Sequence, residues 1–295
     1  AIGQRRGLRS LASALLDARK SACGGARDCR ELGEPGNRCE AARHEEELGK
    51  MRAYVAWRRF WGLPHTMPAM PMQDYLLWSC YLCQAGSYLE VGTGHSLEHA
   101  ALFHGQLRRL LAVDTDRGWL DLLRAKPGVA QGVAEGRVEL RHADMGPVGS
   151  YGYPAFMRRG SDGSSIPADS YRLAQYAASS REPRRRAIAA SAVVRRAVAA
   201  GPGPERAWDA MLGDGPYRLV AALQGLLQIG DAGNSVVLVH DYQNVFLIGP
   251  PARALERFAD LESCAGLMFA FRRKKGANLT ALRETVDALA HVLIF

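Results

Sequence analysis

The sequence predicts an α/β fold, a doubly wound and mostly parallel sheet with helices on both faces, behind a helical N-terminal extension. Three observations carry this. From Ser87 onward, short runs rich in Val, Leu and Ala alternate with amphipathic stretches of helical period. The first of those runs ends in a glycine-bearing turn that opens the next helix, as a parallel βαβ unit requires. The chain has 295 residues, 47% of them hydrophobic, which suffices for one large domain and an appendage.

The elements follow in order. Residues 8–20 and 40–61 read as amphipathic helices, separated by a Cys/Gly-rich loop. In GLPHTMPAMPM, Pro64, Pro68 and Pro71 break any helix. The extension and its Pro-rich linker are therefore placed at 1–72 and the main domain at 73–295. Residues 73–85 resume as an apolar helix. SYLEVG, LLAVD, RVELRHAD, WDAMLGD, SVVLVHD and GLMFAFRRK are six candidate strands. SLEHAALFHGQL, DRGWLDLLRAK, YRLVAALQGLLQI and PARALERFADL are the helices between them, with right-handed crossovers expected. Residues 155–205, with Arg184-Arg185-Arg186 and Arg195-Arg196, read as a basic surface insertion, part helix and part loop, between the third and fourth strands.

Segments 1–60 and 155–205 carry the whole surplus behind the net charge of +8. Such runs usually form solvated faces; an RNA or anionic-surface partner for 155–205 is the functional alternative. No apolar run reaches the roughly 18–20 residues of a membrane span, so a transmembrane segment is not expected. Of the six cysteines, Cys23, Cys29 and Cys39 lie in a loop where a disulfide forms easily. Together with an Asn278-Leu279-Thr280 sequon they give a secretory or luminal hint. Cys80 and Cys83 form a CxxC without a second ligand pair, and are read as two core thiols on one helix face.

The sharpest local signal is Glu90-Val91-Gly92-Thr93-Gly94-His95-Ser96, between a strand and a helix. Gly92 and Gly94 permit a tight turn and close approach of a ligand to bare backbone. A dinucleotide GxGxxG would need glycine where Leu97 stands, which disfavours an NAD(P) enzyme. Asp114, ending the second strand, suits the two hydroxyls of a ribose.

The E-x-G-x-G-x-S pattern resembles the first motif of class I S-adenosylmethionine-dependent methyltransferases, with Ser96 in place of the last glycine. ADMGPVGSYGYP at 143–154 resembles the ADIGPTGxWGYP signature of a group of methyltransferase-like proteins. DGPYR at 214–218 and VVLVHDY at 236–242 are similar to later blocks of that group, so the resemblance spans about residues 70–275. It implies a Rossmann-like fold and S-adenosylmethionine as cofactor. By the same resemblance Gly92, Thr93, Gly94 and Ser96 cradle the methionine part. Glu90 orients its ammonium through water, Asp114 holds the ribose, and Asp144 contacts the adenine amino group.

Asp214 and Asp241 end the fourth and fifth strands, whose tips meet at the carboxyl edge of a doubly wound sheet. They resemble the Mg²⁺-holding aspartates of catechol- and macrocin-type O-methyltransferases. That family's third ligand often follows the second aspartate directly. Tyr242 stands there, with Asn244 as a substitute. The other reading makes His240 or Asp241 a general base that takes a hydroxyl proton. Methyl transfer to a small hydroxyl-bearing acceptor is the function expected. The alternative is an inactive methyltransferase-like module that binds RNA or a protein assembly through its basic segments.

Overall fold

A computed structural model describes Cys29, residues 34–35, 70–148, Pro154, 181–199, 207–230, 235–242 and 253–290. Eight strands form one sheet: β1 (Glu34–Pro35), β2 (Ser87–Val91), β3 (Arg109–Asp114), β4 (Val138–His142), β5 (Ala210–Gly213), β6 (Val236–His240), β7 (Ala259–Ala265) and β8 (Met268–Arg273). Their order is β1-β7-β8-β6-β5-β2-β3-β4. Strands β2 to β6 run parallel, β8 is antiparallel to both β6 and β7, and β1 is antiparallel to β7. The chain therefore winds one way from β2 through β3 to β4, then returns across β2 to β5 and β6. That reversal between β2 and β5 is the topological switch point where such sheets bind ligands.

Alternation within the strands builds two cores. Leu89, Val91, Leu111, Val113, Met211, Val237 and Val239 face one side. Tyr88, Leu110, Ala112, Ala210, Leu212, Val236 and Leu238 face the other. Strands buried on both faces need helices on both faces, and the chain supplies them. On the second side lie α1 (Met72–Gln84), α2 (His95–Phe103) and α4 (Pro127–Ala134), with α3 (Arg117–Arg124) beside them at the β4 edge. On the first side lie α5 (Arg181–Ala199), α6 (Arg218–Gln228), α7 (Ala254–Phe258) and α8 (Leu279–Ala288).

Four expectations change. Residues 259–261, expected to finish a helix, begin β7, because pairing with β8 from Ala259 to Ala265 outweighs local helix propensity. The sixth expected strand is thus the return arm of a hairpin turning at Gly266, φ 57°, and it runs antiparallel. Residues 181–199 are no appendage either: Ala187, Ala190, Val194 and Val198 are buried against the sheet, so α5 is the crossover helix between β4 and β5. Helix α4, with Pro127 at its first position, was not anticipated.

The fourth change concerns the cysteines. Cys80 is not a thiol but is bonded to Cys29, with a Cα–Cα distance of 5.8 Å. Cys83 and Cys264 are disulfide-bonded too, and no described cysteine is free. With β1 paired to β7, the N-terminal segment is fastened to the sheet by backbone and to α1 by sulfur. The helices expected at 8–20 and 40–61 lie outside the described residues.

Candidate functional site

The turn after β2 is built around a contact only glycine permits. Gly92 has φ 78°, and a Cβ there would stand 1.4 Å from the carbonyl oxygen of Asp214. The Gly92 N–H donates to Val113 (2.9 Å) and the Asp214 N–H to Val91 (2.8 Å), so the tips of β2, β3 and β5 lock together. The switch point is thereby closed at its base.

Two buried carboxylates hold the loop. Asp114 accepts the Thr93 N–H (2.8 Å) on one oxygen and the Asp116 N–H (2.8 Å) on the other. Glu90 accepts the Gly94 N–H (3.1 Å) and the Ser96 hydroxyl (2.5 Å) on Oε1, and the Tyr88 hydroxyl (2.9 Å) on Oε2. Burial pushes the Glu90 carboxyl up to about 7 against the pull of those three donors. Burial also raises Asp114, though backbone N–H groups pull it down. Glu90 is fully buried beneath the loop. Ser96 spends its hydroxyl on Glu90.

Asp144 lies two residues beyond β4, exposed, its Oδ1 accepting the Gly146 N–H (3.0 Å). The Ala143 N–H donates to the Asp114 carbonyl (2.8 Å), so Asp144 follows directly on the tip of β3. Gly92, Thr93, Gly94, Asp114 and Asp144 thus line consecutive strand ends on one side of the switch point.

On the other side stand Asp214 and the His240–Asp241 pair. His240 Nδ1 is 3.5 Å from Asp214 Oδ2 and 3.6 Å from Asp241 Oδ2, contacts too long for good hydrogen bonds. Arg218, four residues past Asp214, is buried among them: its guanidinium donates to the carbonyl of His240 (2.8 Å) and lies 3.0 Å from Asp241 and 3.6 Å from Asp214. Burial alone would raise Asp214, but His240 and Arg218 hold it down at about 2. Burial depresses His240, yet Asp241, Asp214 and Asp74 together lift it well above its ordinary value. Asp241 has φ 56°, a left-handed conformation rare outside glycine and found at working sites.

Asp214, His240 and Asp241 each offer a ligand atom, all within 4.8 Å of one another. Among the described residues, His240 Nδ1 and Asp241 Oδ1 are buried without a hydrogen-bond partner. A buried imidazole nitrogen and a buried carboxylate oxygen without partners, beside a second carboxylate, are what a divalent cation would satisfy in place of a proton, so the residues fit one. The residue that completes this cluster, His240, therefore precedes Asp241 instead of following it. Tyr242 is turned into the core, its hydroxyl donating to Glu256 (3.2 Å) and its ring against Phe269 and Phe271. Asn244 lies outside the described residues.

Sequence reasoning missed Asp74 and Arg218. Asp74 is a lone acid in an apolar helix, and Arg218 sits one helical turn beyond Asp214; both signals were present in the sequence. A cavity of about 410 Å³ among α5, α6 and α8, lined by Arg195, Arg196 and Arg283, lies at the far end of α6 from Arg218 and takes no part in this site.

No protein-family model matches the chain, and no curated protein matches it. Among solved structures it is similar to a methyltransferase-like protein from Silicibacter pomeroyi DSS-3. The two are 21% identical, with 75% of this chain and 96% of that chain covered and a TM-score of 0.44. The α/β Rossmann-like architecture stands on the strand order and registers given above. No described helix is long and apolar enough to cross a membrane.

Proposed function

We propose that the protein transfers a methyl group from S-adenosylmethionine to a small hydroxyl-bearing acceptor. The observation that carries this reading is the pairing of two half-sites across one switch point. A glycine loop with Asp114 and Asp144 lies on one side, and Asp214, His240 and Asp241 on the other. The contact between Gly92 and Asp214 joins the halves, so a methyl donor held by the first presents its sulfonium to the second.

The first turn of α2 has no side-chain cap, and its N–H groups suit a carboxylate. Asp114 accepts backbone N–H groups from Thr93, Asp116 and Thr115, and a carboxylate with about four lone-pair sites keeps acceptor capacity for a ribose hydroxyl. Asp144, exposed at the mouth, is placed for an exocyclic amino group. In the transfer an O–C bond forms as the C–S bond breaks, the sulfonium becomes a neutral thioether, and the hydroxyl proton leaves. Asp214, His240 and Asp241 are the groups placed to manage that proton. A divalent cation held by these three would supply a lower hydroxyl pKa. The remaining acceleration comes from positioning and exclusion of water.

Isothermal titration with S-adenosylmethionine and S-adenosylhomocysteine, with NAD⁺ as control, tests the reading. Binding of the first two alone supports it; at 100 times the dissociation constant the ligand should add about 2.7 kcal/mol of stability. No nucleoside binding would overturn it in favour of a scaffold role, with the exposed Arg184, Arg185 and Arg186 as the docking face.

We also infer an oxidising compartment, because Cys29, Cys80, Cys83 and Cys264 are all disulfide-bonded and the Asn278 sequon is exposed. Alkylation of the native, unreduced protein should label none of these four, and labelling before reduction would refute the inference.

A further inference from the structure

We propose that the Asp214–His240–Asp241 cluster is a transition-metal centre with His240 Nδ1 as a ligand, and that Asp74 is the positioning residue which aims that nitrogen. The proposal rests on the methyl-transfer reading only for what the metal would do there.

Asp74 belongs to the first turn of α1 and is fully buried. A buried carboxylate without partners is costly, and this one has two. Its Oδ1 accepts the Leu267 N–H (3.1 Å) and its Oδ2 lies 3.2 Å from His240 Nε2. With Asp74 as the acceptor from both Leu267 and His240, Nε2 carries the proton and Nδ1 is the nitrogen left for the cluster. The same turn is fixed from the sheet side, since the Asp241 N–H donates to the Leu267 carbonyl (2.8 Å). Asp74 thus holds the backbone and the side chain of the His240–Asp241 corner at once.

His240 is 5% exposed, and its Nδ1 has no hydrogen-bond partner; Asp241 Oδ1 is in the same position. Arg218 takes the other oxygen of Asp241 and lies nearest Oδ1 of Asp214. Asp214 Oδ2, His240 Nδ1 and Asp241 Oδ1 are therefore the atoms that remain. Charge agrees with this. Three carboxylates against one guanidinium leave two negative charges around the imidazole. One divalent cation cancels them, whereas a proton on Nδ1 cancels only half.

The donor set decides the class of metal. Mg²⁺ prefers oxygen ligands and retained water, while one imidazole with two carboxylates suits Mn²⁺, Fe²⁺, Co²⁺ or Zn²⁺. A carboxylate on the far N–H of the imidazole is the arrangement that orients metal-bound histidines, and its loss typically lowers metal affinity by about 10- to 100-fold.

The test is a Co²⁺ titration of the full, disulfide-intact chain, followed by visible absorption, with Mg²⁺ as competitor. The expected result is one bound Co²⁺ with a visible ligand-field spectrum, displaced poorly by Mg²⁺. His240→Gln should abolish the spectrum. Asp74→Asn, of the same shape, should weaken Co²⁺ by about 10- to 100-fold. Circular dichroism of each metal-free variant separates a lost ligand from a lost fold. Mg²⁺ displacing Co²⁺ at equal concentration, or Asp74→Asn binding Co²⁺ like the parent, would overturn the proposal. S-adenosylhomocysteine titrated in parallel keeps the two readings apart. Nucleoside binding without Co²⁺ binding sinks this inference alone, and Co²⁺ binding without nucleoside binding sinks the methyl-transfer reading alone.

Discussion

Replacing Glu90 with glutamine tests the idea that burial governs the glycine loop. Glu90 lies on the face of β2 that packs beneath α2, and its carboxyl is raised from 4.5 to about 7, burial being the largest cause. Below pH 4.5 the folded and unfolded chains both carry the proton. Between 4.5 and 7 the unfolded chain releases it while the folded chain keeps it, so stability falls as pH rises. Moving the carboxyl from 4.5 to about 7 corresponds to roughly 3 kcal/mol of stability, lost in full above pH 7. That is a large share of the roughly 5–15 kcal/mol available to a domain. Glutamine keeps the shape, accepts from Gly94 and Ser96 through its carbonyl oxygen, and carries no charge to desolvate. Urea unfolding of parent and Glu90→Gln should agree within about 1 kcal/mol at pH 5 and favour the variant by about 3 kcal/mol at pH 8. His240 and Asp214 titrate in both proteins and cancel in the difference. A variant weaker than the parent by the same amount at both pH values would refute the reasoning. It would mean that Glu90 is ionised and that its three donors outweigh burial.

The remaining predictions concern the loop, the Asp114 carboxylate and the sulfur staple. Gly92→Ala puts a methyl group into the Asp214 carbonyl and adds about 1–2 kcal/mol of left-handed strain. The variant should lose S-adenosylhomocysteine binding and melt well below the parent in circular dichroism. Asp114→Asn should weaken S-adenosylhomocysteine at least tenfold by titration while the far-ultraviolet spectrum stays the same; unchanged affinity would remove the ribose assignment. Replacing Cys29 and Cys80 together with serine opens a closure of 51 residues, worth about 4 kcal/mol by chain entropy. Non-reducing thermal melts should show the loss, and melts in reductant should bring parent and variant together.

Much of the fold was legible because its elements are locally periodic. SVVLVHD alternates between two buried faces, and β6 forms there, buried along its whole length. YRLVAALQGLLQI has a helical period, and α6 occupies it. The failures share one cause, a long-range partner that outvoted the local pattern. ADLESCA reads as the tail of a helix until β8 returns beside it, and the arginines of 181–199 read as a solvated run until the alanines and valines between them meet the sheet. Cys80 reads as a core thiol because its partner lies 51 residues upstream in a segment with no periodicity to place it.

The site divides in the same way. Gly92, Asp114 and Asp144 follow strand ends, so a pattern along the chain could find them. What Asp214, His240 and Asp241 do depends on groups that no spacing connects. Arg218 neutralises part of their charge from the start of α6, and Asp74 reaches His240 across 166 positions. A reading confined to motif blocks looks for the third ligand next to Asp241 and finds Tyr242, which the hairpin of β7 and β8 has drawn into an aromatic core. The same hairpin presents Leu267, whose N–H holds Asp74 and whose carbonyl holds Asp241. The reversed strand that sequence periodicity misread thus also orders the cluster, and an error about topology became an error about chemistry. Asp74, an acid with no polar neighbour on its own helix face, is the residue from which that link could have been suspected, because a carboxylate in such a place requires a distant partner.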